Sequence, residues 1–139
     1  MTDLETFDTT VQKTNLWLKD LMDEEGWEDR HKAYLALRAG LHALRDSLSL
    51  KGAVRFSAQL PMLVRGFYFE GWNPSDKPER LRTRKEFLDQ IAEYFPRDPE
   101  MDPERVARAV FSVLGKRISG DGIDEIKSML PRDIRELWP

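Results

Sequence analysis

Four groups of residues have types and spacings that could do chemistry. Arg65 and Arg135 each stand four residues after a proline, Pro61 and Pro131, among apolar neighbours. A guanidinium in that setting either pairs with a carboxylate or is presented to an anion. Asp20, Asp46 and Glu70 are the expected carboxylates for Arg65, and the structural pairing is the reading we favour; the functional alternative is a twofold pair of anion sites at Arg65 and Arg135. The densest basic run lies within residues 77–85, where Arg80, Arg82, Arg84 and Lys85, with Lys77 nearby, are flanked by Glu79 and Glu86. A nucleic-acid surface needs a broad positive field. A chain with 22 Lys and Arg against 25 Asp and Glu has none overall, so a solvated helix face is the expectation. Phe69 and Trp72 close an aromatic run that begins at Phe67 and Tyr68. They are expected either to seal an internal seam or to offer a partner surface. His31 and His42, the only histidines, are 11 residues apart, about three helical turns, so surface or packing roles are expected rather than metal binding or general-base work.

Other chemistry is excluded or weak. The chain has no cysteine, which removes disulfides, thiolate metal sites and cysteine nucleophiles. Residues 119–125 superficially suggest a calcium loop, but the alternation of oxygens fails after the second acid. A turn followed by a helix capped by Asp121 accounts for them. No phosphate loop, cofactor motif or nucleophile–base set is present. The acidic start, Met1-Thr2-Asp3-Leu4-Glu5, lacks the apolar stretch of a secretory signal, and no run reaches the ~20 residues a bilayer requires. A cytoplasmic location is expected.

The elements that must position these residues are helical. Leu4, Phe7, Val11, Leu18, Leu21 and Met22 recur at helical spacing, with Gly26 as the stop. A second stripe, Ala33, Ala36, Leu37, Gly40, Leu41, Leu44 and Leu48, carries small residues that let a neighbouring helix approach closely. A turn over residues 49–52, a short helix bearing Val54, Phe56, Ala58 and Leu60, and a helix opened by Pro61 and closed by Gly71 complete the first set. After a linker rich in glycine and proline comes a helix from Leu81 to Phe95. It is followed by a helix with Asp102 as cap and Pro103 in its first turn, a turn at 120–122, a short helix, and a last helix opened by Pro131.

The second set is the first one again. Shifted by 70 residues, Leu18 falls on Leu88, Arg38 on Arg108, Leu44 on Leu114, Ser49 on Ser119, Gly52 on Gly122, Leu60-Pro61 on Leu130-Pro131 and Arg65 on Arg135, without a gap from 14 to 68. The expected fold is therefore all-α: two tandem four-helix repeats, about 4–71 and 80–138, joined by a linker at about 72–79. A pseudo-twofold relates them in one compact domain spanning 1–139, because a unit of ~60–70 residues is marginal alone.

The repeated unit reads Ala39-x-Leu41-x-x-Leu44-x-x-x-Leu48 and Leu60-Pro61-x-Leu63-x-Arg65 in the first copy. In the second it reads Ala109-x-Phe111-x-x-Leu114-x-x-Arg117-Ile118-Ser119 and Leu130-Pro131-x-x-Ile134-Arg135-x-Leu137-Trp138. In these segments, and most distinctively in Gln59-Leu60-Pro61 and Phe69-Glu70-Gly71-Trp72, nearly the whole chain resembles the bacterial domain-of-unknown-function family 2267. The resemblance implies a helical fold and a prokaryotic source. It implies no activity, and no catalytic or binding residue carries over. The functional expectation is a non-enzymatic helical module that uses no cofactor or metal and acts by protein–protein contact or self-association. The alternatives are an anion or small-ligand binder at Arg65 and Arg135, and a nucleic-acid binder through residues 77–85.

Overall fold

A computed structural model describes residues 4–74 and 80–139. Among the described residues the chain forms eight α-helices and no strand: α1 (Glu5–Glu25), α2 (Arg30–Asp46), α3 (Leu50–Ser57), α4 (Met62–Phe69), α5 (Arg84–Ala92), α6 (Pro103–Arg117), α7 (Gly120–Met129) and α8 (Arg132–Arg135).

The helix ends follow from local chemistry. Gly26, at φ 67°, turns back to give its N–H to the Met22 carbonyl and stops α1. The Asp29 carboxylate accepts from the backbone of His31 and Lys32, and Asp102 accepts from Glu104 ahead of Pro103. Thr83 and Glu86 close a reciprocal capping box on α5. Three expectations need correction. Residues 49–52 and 120–122 are not turns. The Ser49 and Ser119 hydroxyls accept from the N–H of Gly52 and Gly122 at 3.0 and 3.1 Å, so both helices begin at once, and Ser119 rather than Asp121 is the cap of α7. Pro61 and Pro131 sit one step outside α4 and α8, in extended backbone at ψ 152° and 146°. Leu81 lies before α5, its N–H held by the Asp46 carbonyl at 2.9 Å.

One apolar cluster takes side chains from all eight helices, with Leu37, Leu44, Phe87, Phe111, Ile126 and Ile134 among its fully buried members. Burying such side chains is the main source of stability. The central crossing is that of α2 on α6. A Cβ at Gly40 would lie 2.7 Å from Val110 Cγ2, so only glycine allows that approach. Gly40 and Val110 are themselves 70 positions apart. Other contacts are reciprocal in the same sense. Gly52 faces Met129 while Gly122 faces Gln59, and Arg55 pairs with Glu125. Helix α1 packs on α6 as α5 packs on α2. Along the first of these seams Asp20 bonds Arg117 at 2.7 Å and Glu25 bonds Arg105 at 3.2 Å.

The apolar stripe of α1 does not reach the core along its whole length. Burial begins at Thr14. Leu4, Phe7 and Val11, read as core from their spacing, are 56%, 52% and 47% exposed. Among the described residues these outer turns contribute no buried side chain.

Candidate functional site

The inner half of α1, the first turns of α2 and the middle of α4 enclose an open groove of about 710 Å³. Leu18 forms one apolar wall and Leu63 the other, with Tyr34 and Phe67 between them. The Tyr34 and Phe67 rings meet edge to face at 5.3 Å, and the His31 ring lies 6.1 Å from Tyr34. Gly66, inside α4, lines the groove, and a Cβ built on it would meet nothing within 4 Å. Arg30 stands exposed at the mouth and donates to the side-chain oxygen of Asn15. At the other side Arg38 is held by Glu70 and by the Tyr34 hydroxyl at 3.3 Å. By helical spacing the face of α1 that lines the groove continues outward through Val11, Phe7 and Leu4; on α4, Leu63 lines the groove while Met62 lines a separate hollow with Thr6, Thr9 and Thr10, each being 42% exposed. The Leu63 N–H donates to the Thr10 hydroxyl at 2.8 Å, fixing the start of α4 against α1. The result is an apolar track with a cation at its inner end.

A buried polar cluster fastens the C-terminal end of α4 beneath this groove. Arg45 donates to the Tyr68 carbonyl at 2.9 Å and the Glu70 carbonyl at 3.2 Å, and pairs with the Asp46 carboxylate at 2.9 Å. A cation on the last carbonyls of a helix also answers its dipole. Gln90 of α5 donates to Asp46 at 2.9 Å, tying that helix in. His42 is 3% exposed, with Nε2 2.7 Å from the Phe67 carbonyl and Nδ1 2.5 Å from the Tyr94 hydroxyl. A carbonyl only accepts, so Nε2 carries the proton and Nδ1 receives the tyrosine's. Burial pushes the imidazole down to about 4, helped by nearby Arg45 and Arg38 and opposed by the Phe67 carbonyl. The ring is therefore neutral at neutral pH, and its two nitrogens are already committed. Burial likewise raises the Tyr94 hydroxyl above its ordinary value. This cluster ties α2, α4 and α5 together, and its Arg45, Asp46 and Gln90 also line a small open hollow of about 270 Å³ with Trp72 and Leu81.

The residues singled out from the sequence take other positions. Arg65 and Arg135 are exposed, and each donates to the carbonyl that precedes its proline, Leu60 and Leu130, at 3.3 Å in both cases. The carboxylates expected for Arg65 are engaged elsewhere: Asp20 with Arg117, Asp46 with Arg45 and Gln90, and Glu70 with Arg38. The pairing partner was misread because it is backbone. Phe69 and Trp72 are half-buried against the core, their rings 5.3 Å apart, and Phe69 lies 5.0 Å from Tyr68. In the basic run Arg84 pairs with Glu104 and Lys85 with Asp89, both at 2.6 Å; Lys77 lies outside the described residues. His31 lines the groove and His42 is locked inside. Among the described residues no three of His, Asp and Glu are placed to hold a metal ion, and no helix is long and apolar enough to cross a membrane.

The described residues thus define an all-helical protein with an open groove between α1, α2 and α4. A family model described as "Uncharacterized conserved protein (DUF2267)" matches residues 14–137, and the chain belongs to that family. No curated relative matches it. The match begins at Thr14, where burial of α1 begins, and leaves the exposed turns of α1 outside it.

Proposed function

We propose that the protein is a non-enzymatic helical module acting by protein–protein contact, and that its contact face is the groove between α1, α2 and α4 together with the outer turns of α1. The observation that carries this reading is the exposed apolar row Leu4, Phe7 and Val11, which by helical spacing shares a face with the groove-lining Thr14 and Leu18 of α1, together with exposed Leu63 on the facing wall. Soluble proteins rarely leave so contiguous an apolar surface without use. An open groove beside an unpartnered helix face is the form that receives an apolar helix. The 70-residue repeat explains how the scaffold arose. We read it as two copies related by a pseudo-twofold in a single domain, supported by the reciprocal contacts of Gly52, Gln59, Gly122 and Met129. No observation favours an anion site at Arg65 and Arg135, whose donors turn to carbonyls, or a nucleic-acid face at residues 77–85, where two cations are paired.

A photo-crosslinking side chain placed at Leu63 tests the reading in the native host. Protein adducts are expected at Leu63, and Phe7→Asp should remove them while the melting temperature holds. If Leu50, equally exposed on α3 at 58%, crosslinks as efficiently as Leu63, the groove is not the contact face.

A further inference from the structure

We infer that the occupant of the groove is α1 of a second copy of this chain, packed antiparallel about a twofold axis near Val11. The inference rests on the groove being the contact face, and three observations extend it to a self-complementary pair.

The first is the pattern. The apolar track runs from Leu4 to Leu18, about 21 Å at about 1.5 Å per residue, which is a length that another α1 fills. Laid antiparallel, Val11 meets its twin, Leu4 of each copy reaches Leu18 of the other, and Phe7 sits beside Thr14 and Asn15. Every contact is then made twice, as a twofold interface requires.

The second is charge. The outer end of the track carries Glu5 and Asp8 in the first turn of α1, and the inner end carries Arg30, bonded to the neutral side-chain oxygen of Asn15. Antiparallel seating brings Asp8 of each copy to Arg30 and Asn15 of the other. Parallel seating would stack the acids on each other.

The third is Gly66. A glycine inside a helix weakens it, and here nothing within the chain requires one, since a Cβ would meet open space. It lines the groove on the wall opposite α1. A bare backbone at that point lets an incoming helix approach closely.

The test is the mass of the full chain in solution, by sedimentation from micromolar to millimolar concentration. Wild type is expected to move from 16.3 kDa towards twice that value. Asp8→Arg and Arg30→Asp should each weaken association about tenfold, since each breaks two symmetric pairs and sets like charges together. The two changes in one chain should restore it. Gly66→Gln should weaken it without lowering the melting temperature. A chain that stays monomeric throughout, a dimer indifferent to Phe7→Asp, or a charge-swapped double variant no tighter than the single ones would each overturn the inference. The crosslinker at Leu63 separates the two readings. Adducts only with a different protein overturn self-pairing and leave the contact face standing, whereas no adduct at all overturns both.

Discussion

Helix α1 runs 21 residues and its outer turns stand clear of the core, whereas α5, in the corresponding place 70 residues on, runs nine and begins level with Thr14, where α1 first becomes buried. The two halves share their fasteners. Ser49 and Ser119 cap in the same way, Arg65 and Arg135 clasp the same carbonyl, and Pro61 and Pro131 have nearly the same backbone angles. They differ in how the closing helix is held. In the first half His42 and Arg45 bond the carbonyls of Phe67, Tyr68 and Glu70. Seventy residues later stand Ser112 and Gly115, and there Arg108 donates to the Leu137 carbonyl at 3.3 Å and the Phe111 and Trp138 rings stack at 4.3 Å with planes 6° apart. The shared residues make the frame. In the first half the unshared residues His42 and Arg45 gather at the end of α4, whose Gly66 and Phe67 line the groove.

The largest effect that can break this contrast is at Arg45. Arg45→Met removes the Nη1 donor shared by the Tyr68 and Glu70 carbonyls and takes the guanidinium away from Asp46, which keeps Gln90. Loss of one partner from a buried charge cluster costs about 3 kcal/mol or more. Urea unfolding should show that loss, with the change concentrated in protection of the amides of α4. A cost under about 1 kcal/mol would mean that the polar clasp is ornamental and that both halves are held by packing alone.

Much of this arrangement was legible in the residues. The 70-residue match and the helical stripes anticipate all eight helices, though several begin at other residues than expected, and Gly40 was readable as a close-approach position. Ser49 and Ser119 were misjudged because the glycines three residues later read as turn formers, although the serine-to-N–H bond is what starts each helix. The partner of Arg65 was not legible, because a carbonyl leaves no mark in the side-chain pattern. The same holds for His42 and Arg45, whose partners are main-chain oxygens at residues 67–70. A signal for the groove was present and unused. The counterparts of Leu4 and Phe7 are Pro74 and Lys77, so the apolar stripe of α1 loses its match at its two outermost positions, both exposed, while Val11 keeps an apolar counterpart in Leu81.

Acid provides the next, smaller test of the same asymmetry. Folding holds the His42 imidazole down at about 4 from an ordinary 6.5, so the unfolded chain takes the proton first. The contribution is complete above pH 6.5 and declines as pH falls towards 4, by about 1–3 kcal/mol in all. His42→Gln should be less stable at neutral pH and lose that slope. Ser112, its counterpart, does not titrate, so the slope between pH 6.5 and 4.5 belongs to the first half; carboxylates held low, such as Glu86 and Glu104, act further down. A wild type as steep as His42→Gln across this window would show that the ring is not buried as described.

The smallest effect sharpens the comparison most. Gly66 in α4 and Gly115 in α6 are both inside helices, and a Cβ on either would meet nothing within 4 Å. Glycine to alanine in open helical space stabilises by about 0.5–1 kcal/mol, through the entropy of the unfolded chain. Gly66→Ala and Gly115→Ala should therefore raise the melting temperature alike. Their effects on association should part: Gly115→Ala should leave the dissociation constant unchanged, while Gly66→Ala, which narrows the groove by a methyl group, should raise it. Equal behaviour in both assays would assign the glycine of α4 no more than drift, and with it would go the argument that one half was opened to admit a helix.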